Sequence, residues 1–122
     1  MTTETRLLSA IPTLASLDIR RSVDFYCSRL GFTEVYADQG TYGIVSRDSV
    51  SIHLWACSER HIAENTSCRV LVTGVDDYHS QCDAFGIVHP NARLEAKPWG
   101  MREFGIVDPD GNLVTFAERQ GT

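Results

Sequence analysis

The apolar and polar positions run through the same succession of periods twice. Residues 8–15 predict a first strand. Behind Asp18, a residue type that caps helices, Ile19, Val23, Tyr26 and Leu30 recur at helical spacing, and Gly31 supplies the stop. Three strand-like runs follow, 33–38, 42–47 and 50–56, parted by Gly40 and by Arg47-Asp48-Ser49. A polar connector, 58–67, leads into a second round. That round predicts a strand over 68–73 and a helix capped by Asp76, running to Phe85 and closed by Gly86. A weaker strand over 87–94 is interrupted by Pro90, and strands over 101–107 and 113–118 follow. The last two are joined by Asp108-Pro109-Asp110-Gly111-Asn112, a strong turn signal because Pro presets φ and Gly or Asn takes the left-handed position.

The order is β-α-β-β-β followed by β-α-β-β-β. Leu30-Gly31-Phe32 is echoed by Phe85-Gly86-Ile87, which suggests an internal duplication of about 55 residues. One such unit is too small to bury its own sheet face, so the pair is expected to act as a single domain over 1–122, with modules at about 8–57 and 67–119. The expected fold is α+β, a curved, antiparallel-rich mixed sheet around a ligand cleft.

Composition narrows the function. The chain has 122 residues, 43% hydrophobic and 22% charged, enough apolar residues for a real core. Its net charge of −5 argues against a nucleic-acid partner and favours a cationic ligand. No apolar stretch is long enough for a membrane helix, and the Met1 to Arg6 segment lacks the basic-then-apolar pattern of a secretory signal. The expectation is a cytoplasmic protein with no membrane partner. Cys27, Cys57, Cys68 and Cys82 are scattered, with no Cys-x-x-Cys pair, and are read as reduced thiols.

Several segments carry a resemblance to a known family. They are Ala10-Ile11-Pro12, Ser22-Val23-Asp24-Phe25-Tyr26, Leu30-Gly31-Phe32, Glu64-Asn65-Thr66-Ser67, Pro98-Trp99-Gly100-Met101-Arg102-Glu103-Phe104 and Asp108-Pro109-Asp110-Gly111-Asn112. In this order, over nearly the whole chain, the set resembles the vicinal oxygen chelate superfamily of glyoxalases, extradiol dioxygenases and bleomycin resistance proteins, and most nearly the last. The resemblance implies a homodimer with an exchanged first strand. It also implies ligand clefts at the subunit interface that sequester a cationic glycopeptide antibiotic without catalysis.

The superfamily's metal-ligand positions fall here on Ile11, on Arg69 or Val70, on Thr115, and on Ile52 or His53. Only His53 can ligate, and one imidazole does not hold an ion. The resemblance therefore implies no metal, no cofactor and no catalytic residue. The competing reading is a divalent-metal glyoxalase or dioxygenase using His53, Glu103 and a partner-chain residue. His61, His79 and His89 are expected at the surface.

The candidate ligand residues are Tyr36, Tyr42, His53, Trp55, Arg69, Trp99 and Glu103. Trp99, between Pro98 and Gly100, offers an indole on a turn for stacking a planar ring, and Tyr36 and Tyr42 fall on groove aromatics of the resembled proteins. Glu103 either faces the cleft or pairs with Arg102 or Arg69. Arg69 stands where the drug-binding proteins have a groove Trp. Its charge would oppose a cationic drug and suit an anionic or neutral aromatic ligand. The 91–97 loop also departs from the family pattern in length and chemistry.

Overall fold

The computed structural model describes residues 3–121. Met1, Thr2 and Thr122, the outermost positions of the expected 1–122 domain, lie outside the described residues. Each half of the chain closes its own four-stranded sheet. In the first half, strands β1 (Thr13–Ser16), β2 (Thr33–Ala37), β3 (Tyr42–Arg47) and β4 (Val50–Ala56) are ordered β1-β4-β3-β2. In the second, β5 (Ser67–Leu71), β6 (Glu95–Ala96), β7 (Met101–Val107) and β8 (Leu113–Arg119) are ordered β5-β8-β7-β6. The first strand of each half runs parallel to the last, and the other pairings are antiparallel. The shared order matches the expected α+β pair of βαβββ modules.

Helix α1 (Ile19–Leu30) forms as its pattern predicts. The Asp18 side chain accepts a hydrogen bond from the Arg21 amide, and Gly31 ends the helix at φ 77°. The helix buries Ile19, Val23, Tyr26 and Leu30. Helix α3 (Val75–Ala84) begins two residues earlier than expected, with Gly74 rather than Asp76 as its cap. Asp76 lies inside the first turn, where its charge favours the helix N-terminus. The inner faces of both sheets share one apolar core, which includes Leu14, Val45 and Leu54 from the first and Val70, Phe104 and Phe116 from the second.

Three segments depart from expectation. The first strand covers Thr13–Ser16 rather than 8–15, and residues 3–12 lie in no strand. Leu7 and Leu8 are 95% and 90% exposed, so these apolar residues bury against nothing in this chain. The connector holds a one-turn helix, α2 (Arg60–Ala63), which buries Ala63 yet has no capping side chain for a sequence pattern to reveal. The expected 87–94 strand reduces to a single bridge, Val88 to Ile106, because Pro90 has no amide to donate.

The 108–112 turn also joins the modules. Tyr26 donates to Asp108 at 2.8 Å, and Ser22 donates to Asp110 at 3.0 Å. Asn112 donates to Asp108 and to the Ala15 carbonyl at 2.9 and 2.8 Å. Gly111 has φ 101°, and a Cβ there would sit 2.7 Å from Glu64 Cγ. Burial raises the Asp108 carboxyl above its ordinary value, against the Tyr26 and Asn112 hydrogen bonds that favour the charged form.

Candidate functional site: two open sheet faces

Strand alternation turns one face of each sheet away from the core. On the first sheet that face carries Tyr36, Tyr42, His53 and Trp55. Tyr42 is in register with Trp55, and Ile44 is in register with both Tyr36 and His53. The Tyr42 hydroxyl and His53 Nδ1 are 2.7 Å apart, and the rings meet edge to face with centroids 5.4 Å apart. Tyr36 and Trp55 are exposed.

Asp38, which the residue patterns did not single out, fixes the hairpin bearing these rings. It accepts from the Thr41 and Tyr42 amides at 2.7 and 3.0 Å, from the Thr41 hydroxyl, and from the Tyr36 hydroxyl at 3.2 Å. The Thr41 hydroxyl and amide, with the Tyr42 amide, bring its carboxyl down to about 2. An Asp two residues before Gly40 is a turn signal that would have pointed to it.

On the second sheet the open face carries Arg69, Thr115 and Glu103, with Trp99 on the turn before β7. Glu103 is 5% exposed and uses both oxygens. Arg69 donates to Oε2 at 2.9 Å, and the Trp99 indole donates to Oε1 at 2.6 Å. Burial alone would raise the Glu103 carboxyl, but the Arg69 and Trp99 hydrogen bonds outweigh it and hold the group below its ordinary value. This settles the pairing left open by the sequence, because Arg102 instead binds Asp76 at 2.7 Å. Glu103 is thus the counter-charge of Arg69. Lys97, a second residue the sequence did not flag, holds its ammonium 5.9 Å from the Trp99 ring centroid and pairs with Glu95 at 2.5 Å.

The predicted residues thus form two groups on two sheets that share no strand pairing. A groove of about 790 Å³ within the chain lies elsewhere, between the modules, lined by Phe32, Arg47, Val70, Tyr78, Gln81 and Phe116, and by none of the predicted ligand residues. Ile11 is exposed and Thr115 half-buried. Among the described residues, no three His, Cys, Asp or Glu side chains are grouped as a metal-ligating set. His53 and Glu103, the core of the competing metal site, stand on different sheets. His61 lies beside Glu59, His79 packs edge-on against Phe104 with centroids 5.2 Å apart, and His89 accepts from the Asn91 amide. All four cysteines are free thiols, and burial pushes Cys68 and Cys82 up to about 11.

This architecture, paired βαβββ modules with an open face on each sheet, defines a class. A family model described as a glyoxalase superfamily protein matches residues 2–122. Within that class, the bleomycin resistance protein of Geobacillus stearothermophilus is 35% identical, over 93% of this chain and 98% of its own length. The bleomycin-binding protein of Streptomyces verticillus, solved with copper(II)-bleomycin, superposes with a TM-score of 0.83 at 28% identity, covering 98% of this chain and all of that one. The bleomycin resistance determinant encoded on the transposon Tn5 gives a TM-score of 0.79 at 27% identity, over 94% of this chain and 100% of its own. The chain belongs to the bleomycin resistance protein family of the glyoxalase superfamily. No helix among the described residues is long and apolar enough to cross a membrane.

Proposed function

We propose that this protein is a metal-independent binding protein that sequesters bleomycin, or a closely related aromatic and cationic antibiotic, as a homodimer in the cytoplasm. The site consists of the first-sheet face of one copy, with Tyr36, Tyr42, His53 and Trp55, and the second-sheet face of the other, with Arg69, Trp99 and Glu103. Sequestration requires affinity and stoichiometric protein, with no catalytic residue and no cofactor.

The observation that carries this reading is the second-sheet face. Trp99 presents an indole that is 59% exposed, beside an arginine whose charge Glu103 compensates. Aromatic faces attract cations, and the net charge of −5 adds a long-range field of the same sense. In one chain the two faces stand on separate sheets, and the 3–12 segment, outside any strand with Leu7 and Leu8 exposed, suits exchange with a second copy. The free thiols suit a reducing compartment.

Isothermal titration of metal-free and of copper(II)-loaded bleomycin tests the proposal. The expected result is tight binding at about one drug per chain, lost in Trp99→Ala with the fold intact. Absence of binding by both forms of the drug would overturn it.

A further inference from the structure

The Trp99 indole stands on a turn with little packed around it. Pro98 precedes it, and Gly100 follows at φ 84°. Two contacts hold the ring. Its N–H edge donates to Glu103 Oε1 at 2.6 Å, and the Lys97 ammonium covers it at 5.9 Å from the centroid. Glu103 is itself held, because Arg69 takes its other oxygen at 2.9 Å. The carboxylate projects from β7, which is paired on both sides, with Glu103 opposite Glu95 of β6 and Ala117 of β8. A rigid strand therefore reaches an exposed ring through one buried carboxylate.

We infer that Glu103 is a positioning residue that fixes the orientation of the Trp99 indole on the open face, with Arg69 as the counter-ion that keeps this clamp neutral. The inference rests on the binding role proposed above, which gives the fixed ring a ligand. An indole held at its edge, with Lys97 over one face, offers the other face as a one-sided platform for a planar cationic group. A preorganised platform binds more tightly than a swinging one, because less freedom is lost on binding. Neutrality matters equally. A lone Glu103 would be a buried uncompensated charge, and a lone Arg69 would repel a cation.

Two variants with the same charge isolate the acceptor. Arg69→Met with Glu103→Gln removes both charges but keeps an amide oxygen for the indole N–H, whereas Arg69→Met with Glu103→Ala removes the acceptor too. The chain has two tryptophans, so two indole N–H signals are expected by ¹H–¹⁵N NMR, assigned with Trp55→Phe. The Gln variant should keep the downfield, hydrogen-bonded Trp99 signal and bind metal-free bleomycin about tenfold more tightly than the Ala variant, whose signal moves to that of a free indole. Equal affinities in the two variants, or an indole signal that does not move, overturn the inference. If the unsubstituted protein binds no bleomycin, the binding proposal fails separately, and the indole signal still decides whether Glu103 holds Trp99.

Discussion

Asp108 and Glu103 both expose little surface, at 3% and 5%, but Asp108 lies deeper in the protein, and the two carboxyls are moved in opposite directions. Asp108 sits in the junction between the modules and meets neutral donors, namely the Tyr26 hydroxyl, the Asn112 amide and two loop amides. Those donors do not offset its burial, and it is raised. Glu103 lies nearer the surface and accepts from a cation and an indole, and these hydrogen bonds outweigh its burial. The contrast separates two uses of a buried carboxylate. One satisfies backbone and side-chain donors where two modules meet. The other is charged and compensated, and it holds two groups that remain exposed on the open face.

The largest break in this comparison is in stability. Asp108→Ala strips partners from Tyr26 and from the amides of Asp110 and Asn112, and should cost about 3–4 kcal/mol in urea denaturation. Glu103→Ala should cost only about 1 kcal/mol, because Arg69 can turn to water. Equal costs would erase the distinction.

The pH dependence sharpens it with a sign. Asp108 has an ordinary value of 3.8 that is raised on folding, so the native state binds protons that the unfolded state releases. Its contribution is full below that value and declines as pH rises through the raised one. Glu103 has an ordinary value of 4.5 that is lowered on folding, so its contribution is full above that value and is lost as pH falls through the lowered one. Relative to the unsubstituted protein, the deficit of Asp108→Asn should therefore shrink as pH rises from acid to neutral. The deficit of Glu103→Gln should grow over the lower part of the same titration. Parallel trends would contradict the assignment.

Most of the fold was legible because its signals are local. The Asp18 cap, the Gly31 stop and the alternation in 42–47 and 50–56 each depend on neighbouring residues only. The failures came where a partner decides. Residues 8–12 read as part of a strand but form no ladder, Pro12 only accepting from the His53 amide, and 87–94 loses its ladder at Pro90. The aromatic residues of the candidate site were legible as types. What could not be read was that Arg69 reaches Glu103 from 34 positions away, since that depends on the parallel placement of β5 beside β8. Asp38 and Lys97 escaped although their contacts are local, because each matters only through the ring it supports.

Subunit mixing decides whether a binding site combines the first-sheet face of one copy with the second-sheet face of another. Tyr42→Ala disables the first face and Trp99→Ala the second. Each variant alone should titrate with little bleomycin. After co-refolding in equal amounts, half of the dimers should be mixed, and each mixed dimer should hold one site with both faces intact. Recovery of about one quarter of the sites is expected, at the affinity of the unsubstituted protein. No recovery in dimers shown to be mixed would mean that both faces of a site belong to one chain, and the shared site would be ruled out.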